Sequence, residues 1–321
     1  MIFEKAIVNA FKGIMHVRCD DTETVFYFSH NDFPNLKNED YDFYSSMGHV
    51  LKGHIYEYEG ALSDRLIIFD HGFGGGHRAY MKEIEKLCSH GYRVFAYDHT
   101  GCMTSGGESS NGLAQSLCDL NDCVGKIKSD ERFKDCSISV MGHSWGAFSS
   151  MNIAKLHPSI THVVAISGFV SVKDMIDSSF TGILKGYRRA VLESEISANP
   201  EFALYNAVDS LKSSPFTKAL LIYSEDDHIC SVSHYEILKA GLSDSDNVTL
   251  VLTNNKRHNP NFTEDSVKYV NEFSRKRAKL KKKRNLTDAE KKTFVDSFDW
   301  NRMTAQDEDV WNMIFTHLES K

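Results

Sequence analysis

Ser137-Ile138-Ser139-Val140-Met141-Gly142-His143-Ser144-Trp145-Gly146 is the stretch that decides how this chain is read. Its apolar run, Ile138 to Met141, has the length and composition of a buried strand. The run passes directly into G-x-S-x-G and then into Trp145 to His157. There Ala147, Phe148, Met151, Ile153, Ala154 and Leu156 recur at near-helical spacing until Pro158 stops them. Strand, Gly-x-Ser-x-Gly and helix in that order predict a turn so sharp that only residues without side-chain bulk fit beside the serine. The turn would lift the Ser144 hydroxyl above the sheet, next to the first N–H groups of the helix. Acyl transfer at Ser144 is the chemistry this predicts, whereas the same pentapeptide in an irregular loop would predict none.

Outward from that stretch, from Arg65 on, continuous apolar runs alternate with helical segments. The runs are Leu66–Phe69, Tyr92–Tyr97, Ile138–Met141, His162–Ile166, Ala219–Tyr223 and Val248–Leu252. Strands apolar on both faces and spaced by helices predict an α/β domain with a mostly parallel central sheet and helices on each side. Before Arg65, Thr24–Phe28 and His54–Tyr58 alternate apolar and polar residues, which predicts antiparallel edge strands joined by the polar stretch His30–Asp42. Residues 169–214 interrupt the rhythm with three helical segments and no strand, as a cap inserted between two strands would. The main domain is therefore expected over 1–274. A basic helix end, Arg275 to Arg284, and a helical extension fill 275–321, with helix starts at Thr287 and Asp307.

With 321 residues and a formal net charge of −7, one large domain is expected and no general affinity for nucleic acid. The basic run reads as a solvated helix end, with contact to an acidic partner or an anionic head group as the alternative. Seven cysteines without C-x-x-C spacing fit reduced thiols in the cytoplasm. The start Met1-Ile2-Phe3-Glu4-Lys5 shows no basic segment followed by an apolar core. No run of 18 apolar residues predicts a membrane span.

A serine hydroxyl needs a base and a group that orients the base. In a parallel sheet such residues collect in loops at the carboxyl ends of strands. Asp227 follows one apolar run, within Ser224-Glu225-Asp226-Asp227-His228-Ile229, and His258 follows the next, within Asn254 to Pro260. Asp226 and Glu225 compete with Asp227, which stands three residues after the small Ser224. His228 and His234 compete with His258 but precede the last strand. Asp70-His71-Gly72-Phe73-Gly74-Gly75-Gly76 follows another run and suits an oxyanion loop, with the amides of Phe73 and Trp145 as donors. It matches neither phosphate-binding glycine pattern, and with no H-E-x-x-H or clustered His and Cys neither cofactor nor metal is expected.

The oxyanion loop, Gly91 to Gly101, the elbow and the ordered acid and base resemble the α/β-hydrolase superfamily over about Arg65–Phe273. The branch most similar contains monoacylglycerol lipases and serine aminopeptidase-like hydrolases. The resemblance implies an α/β-hydrolase fold and a serine hydrolase with a Ser144–His258–Asp227 triad, acting on a small acyl ester or amide or a short peptide. The cap would supply pocket residues Phe169, Met175 and Phe180. Aminopeptidase activity and a catalytically silent binding protein are the rival readings. Where that branch carries Asp-x-Arg-Gly-x-Gly-x-Ser, this chain has Asp98-His99-Thr100-Gly101-Cys102-Met103-Thr104-Ser105, without the arginine and the second glycine.

Overall fold

The apolar runs that begin at Arg65 form the parallel part of the sheet and are buried on both faces, except the last, Val248–Leu252, which is an edge strand and only half-buried. The computed structural model describes residues 2–20, 23–283 and 285–321. Among them the strands are β1 (Lys37–Asp40), β2 (Phe43–Tyr44), β3 (Val50–Leu51), β4 (Gly53–Glu57) and β5 (Arg65–Asp70). They continue as β6 (Arg93–Tyr97), β7 (Ser137–His143), β8 (Ile160–Ile166), β9 (Lys218–Ser224) and β10 (Val248–Thr253). One sheet has the order β1-β4-β6-β5-β7-β8-β9-β10, and β2 pairs with β3 apart from it. Neighbours from β6 to β10 are parallel, while β4 runs against both β1 and β6.

After β5 the chain crosses to β6 on one side and then returns to β7 on the other. The carboxyl ends of β5 and β7 therefore flank the switch in winding where open sheets bind ligands. Register holds these ends level, with Asp70 beside Gly142, His143 beside Ile166, and Ser224 beside Thr253. The loops holding the glycine run, Ser144, Asp227 and His258 thus leave the sheet along one rim. Apolar side chains pack on both faces, and the helix Glu308–Leu318 contributes Val310, Trp311, Ile314 and Leu318 to one of the cores.

The first 60 residues depart from expectation. Thr24–Phe28 is irregular chain, and the edge strand β1 lies instead inside the polar stretch His30–Asp42. Alternation at Thr24–Phe28 is satisfied by packing side chains against neighbours, as where Phe26 meets Phe28 edge-on, without any ladder. A helix not expected from the sequence, Ile2–Met15, opens the described chain and lays Ile7, Val8, Phe11 and Met15 on the core.

The cap lies between β8 and β9, and a bridge between Ser171 and Asn206 closes its base. It holds the helices Val172–Ser179, Arg188–Ala198 and Ala207–Lys212 and the 3-10 turn Gly182–Tyr187. The last helix of the cap starts at an Asn206 cap, whose side chain accepts from Val208 N–H. The boundary at 274/275 falls within one helix, Glu264–Leu280. Of the basic run, Arg284 lies outside the described residues. No helix among the described residues is long and apolar enough to cross a membrane.

Candidate active site

Two glycines and a strained serine make the turn after β7. A Cβ on Gly142 would stand 2.3 Å from the Gly146 carbonyl oxygen, and one on Gly146 would stand 2.0 Å from that of Asp70. Neither position tolerates a side chain. Ser144 itself has φ 55° and ψ −110°, a conformation that costs on the order of 1–3 kcal/mol and persists only where the surroundings impose it. Its N–H is held by the Ile166 carbonyl at 2.8 Å. Trp145 begins the helix Trp145–Leu156, so its amide is among those a helix leaves without an internal partner.

Ser144 and His258 line one cavity of about 280 Å³, together with Phe73, Trp145, Phe169 and Met175. Nδ1 of His258 donates to Asp227 Oδ2 at 2.7 Å, which leaves Nε2 as the basic nitrogen. The other Asp227 oxygen accepts from the amides of Ile229, at 2.7 Å, and Cys230, at 3.1 Å. Asp226 instead accepts from Ser224 Oγ and the Arg257 amide, and Glu225 does not line this cavity. His234 is buried beside Ser178 and the Val170 amide. Phe180 packs on Phe11, with ring centroids 6.0 Å apart, and is not part of the cavity lining. A wider groove of about 870 Å³ runs beside β9, β10 and the last helix, but it holds neither Ser144 nor His258, so size alone does not locate the chemistry.

Residues that the sequence pattern did not single out connect the two halves of the site. The Gly72 amide donates to the Tyr80 hydroxyl at 3.1 Å, and that hydroxyl donates to His143 Nδ1 at 2.9 Å. His143 Nε2–H in turn donates to the His258 carbonyl at 2.7 Å. Burial pushes the His143 imidazole down to about 3, so it stays neutral with one nitrogen donating and the other accepting. This relay ties the glycine run after β5 to the loop that carries His258. Tyr80→Phe is expected to cost about 1–3 kcal/mol, because the buried Gly72 amide loses its acceptor and His143 its donor. A urea melt checks this.

The loop that carries His258 is also held from behind. Lys256 Nζ donates to the Phe262 carbonyl at 2.7 Å and pairs with Asp307, and the Asn261 side chain donates to Glu83 at 3.0 Å. Burial pushes that Glu83 carboxyl up to about 7.

Below the glycine run after β5, the altered Asp98–Ser105 segment keeps the backbone shape by other means. Met103 occupies the glycine position with φ 49°. Thr100 takes the arginine position and donates through its amide, at 2.7 Å, and its hydroxyl, at 2.8 Å, to Asp119. Burial opposes the charge of Asp98, yet the His77 ring and amide, each at 2.8 Å, bring its carboxyl down to about 2.

The positive charge beneath the site belongs to His99, buried between Asp70 and Asp119. Its Nε2 lies 2.8 Å from Asp70, off the direction a straight hydrogen bond requires, so this contact is mainly Coulombic. Burial alone would lower the His99 imidazole, but the two carboxylates overcome it and raise it to about 9. The His99 amide donates to His71 Nε2 at 3.0 Å, and His71 Nδ1–H donates to the Gly72 carbonyl at 2.8 Å. The ion cluster thereby supports the loop that carries Phe73. Among the described residues, Cys118, Asp119 and Asp122 bring possible metal-binding atoms within 4.8 Å of one another. The Asp119 carboxylate already serves Thr100, Gln115 and His99, and none of the three lines the Ser144 cavity.

The family model described as serine aminopeptidase, S33, matches residues 62–205. An epoxide hydrolase of Caballeronia sordidicola is 28% identical over 92 residues, covering 29% of this chain and 27% of that protein. The curated relatives are spanned over only 27% to 53% of their own lengths. Esterase Pf2001 of Pyrococcus furiosus superposes with a TM-score of 0.59 at 22% identity, over 82% of this chain and 98% of that one. An acetyl xylan esterase of Paenibacillus sp. R4 gives 0.54 at 17% identity, over 79% and 86%. With the sheet order and the elbow, these likenesses define the architecture. The chain has the α/β-hydrolase fold.

Proposed function

We propose that this chain is a serine hydrolase that cleaves an ester, or less readily an amide, of a small acyl substrate. The observation that carries the proposal is the shared cavity, lined by a serine on a strained elbow and by a histidine whose Nδ1 is fixed by Asp227. Ser144 Oγ attacks the acyl carbonyl while His258 Nε2 takes its proton. Asp227 holds the ring in the required tautomer and stabilises the imidazolium. The carbonyl oxygen, now negative, is met by the amides of Phe73 and Trp145, each donor contributing about 3–4 kcal/mol to the transition state. His258 returns the proton to the departing alcohol or amine. Water, activated by the same ring, then releases the acid from Ser144.

An acyl ester is favoured over a peptide with a free amino end by the chemistry of the walls. Among the described residues that line the cavity none carries a carboxylate, which an α-ammonium group would need as a partner. A fluorophosphonate probe is expected to add one label at Ser144, read by intact and peptide mass, and p-nitrophenyl acetate to be turned over faster than alanine p-nitroanilide. Absence of label with intact folding would instead support a silent binding protein, and faster anilide cleavage would support an aminopeptidase.

A further inference from the structure

One wall of the Ser144 cavity comes from outside the stretch that the family model matches. The helix Ile2–Met15 brings in the side chain of Met15 beside Leu113, Met175 and Ile229. We propose that Met15 is the closing wall of the acyl site and confines this chain to esters of short acyl groups; this rests on the serine-hydrolase reading above.

The size of the space gives the substrate class. The cavity of about 280 Å³ is small and is shared between acyl chain and leaving group. Acyl groups of about four carbons or fewer fill it, and longer ones meet the wall. Ile229 is 55% exposed and belongs to the open rim, whereas Phe169 is stacked on Phe148 with centroids 4.5 Å apart and an interplanar angle of 10°. Met15 is unbranched and joins the space to a segment outside the cap, so its truncation lengthens the pocket without disturbing the elbow or the base loop.

The segment that presents Met15 is fixed to the site and cannot drift to admit a longer chain. Ser110 donates from its hydroxyl to the Met15 carbonyl at 2.7 Å and from its amide to the Val17 carbonyl at 3.0 Å. His16 pairs with Glu195 of the cap, whose side chain is 1% exposed. The second oxygen of Glu195 accepts the Leu113 amide at 2.6 Å, and the Leu113 carbonyl accepts the Trp145 indole at 2.7 Å. A continuous set of bonds therefore runs from the N-terminal segment, through the cap, to the residue that follows the nucleophile.

The test compares kcat/KM for p-nitrophenyl acetate, butyrate, hexanoate and octanoate in the full chain and in Met15→Ala and Met15→Phe, each also treated with a small fluorophosphonate. Each methylene that gains an apolar site is worth about 4-fold. The octanoate-to-butyrate ratio is therefore expected to rise at least 10-fold in Met15→Ala. In Met15→Phe, which keeps the wall filled and serves where the alanine chain fails to fold, the butyrate-to-acetate ratio is expected to fall. Label and turnover with unmoved ratios in the folded variants overturn the role of Met15 alone. A wild-type chain that takes no label and cleaves none of the four esters overturns the hydrolase reading and this inference with it.

Discussion

Ser144→Ala is expected to lower kcat on a short acyl ester by about 10⁶-fold while the chain melts within about 1 kcal/mol of the wild type. The two halves of this expectation have separate causes. The backbone bond from the residue 144 amide to the Ile166 carbonyl and the turn between Gly142 and Gly146 need no hydroxyl, so the elbow survives. The chemistry has no second nucleophile to turn to, because the neighbouring Cys230 thiol is held neutral by burial, which raises it well above its ordinary value. Asp227→Asn tests the other end of the same row. The Asn oxygen can keep the amides of Ile229 and Cys230, which places its NH₂ against His258 Nδ1 and forces the ring into the wrong tautomer. A loss of about 10⁴-fold is expected, with little change in stability. Combining the two substitutions is expected to cost no more than Ser144→Ala alone, since the residues act as a unit. Stopped assays with p-nitrophenyl butyrate measure all three. Retention of more than about a hundredth of wild-type kcat in Ser144→Ala would remove Ser144 from the mechanism.

What could be read from the sequence follows from where its signals lie. Ser144, Asp227 and His258 each follow a run apolar enough to be recognised as a strand of the parallel sheet, and parallel register then delivers the three loops to one rim. The residues that hold those loops could not be found this way. Tyr80, His143 and the His258 carbonyl meet across separations of 63 and 115 residues, and nothing local marks a histidine as a spacer rather than a base. The Asp98–Ser105 segment shows the same limit from the other side. Its missing arginine and glycine are plain in the sequence, but that Met103 adopts the left-handed backbone and His99 supplies the cation emerges only from packing. The helix Ile2–Met15 did leave a signal. Ile7, Phe11 and Met15 recur every four residues along its buried face. The stretch lies close to the alternating Thr24–Phe28, and both periodicities fit so few residues that only tertiary contact separates helix from strand.

His99→Leu is expected to destabilise the chain by about 3–5 kcal/mol, lowering Tm by on the order of 10 °C. Leu fills the space, so the loss is electrostatic. Asp70 and Asp119 are fully buried, and without the imidazolium they face each other as uncompensated carboxylates. Tyr97 still donates to Asp70 at 2.8 Å, and Thr100 and Gln115 to Asp119, but neutral donors do not cancel charge. One carboxyl must take a proton or the cluster must open, and opening it slackens the line from the His99 amide through His71 to Gly72. The pH dependence has a definite sign. His99 titrates near 9 in the fold against about 6.5 in the unfolded chain, so the folded state binds the extra proton between those values. Its contribution to stability is complete below about pH 6.5 and is lost as pH rises through 9. Urea midpoints are expected to fall over that window in the wild type, and ¹⁵N imidazole shifts are expected to report a charged His99 ring at pH 8, where an ordinary histidine is neutral. A neutral ring at pH 7, or a His99→Leu chain as stable as the parent, would mean that the carboxylates below the glycine run are held by their neutral donors alone.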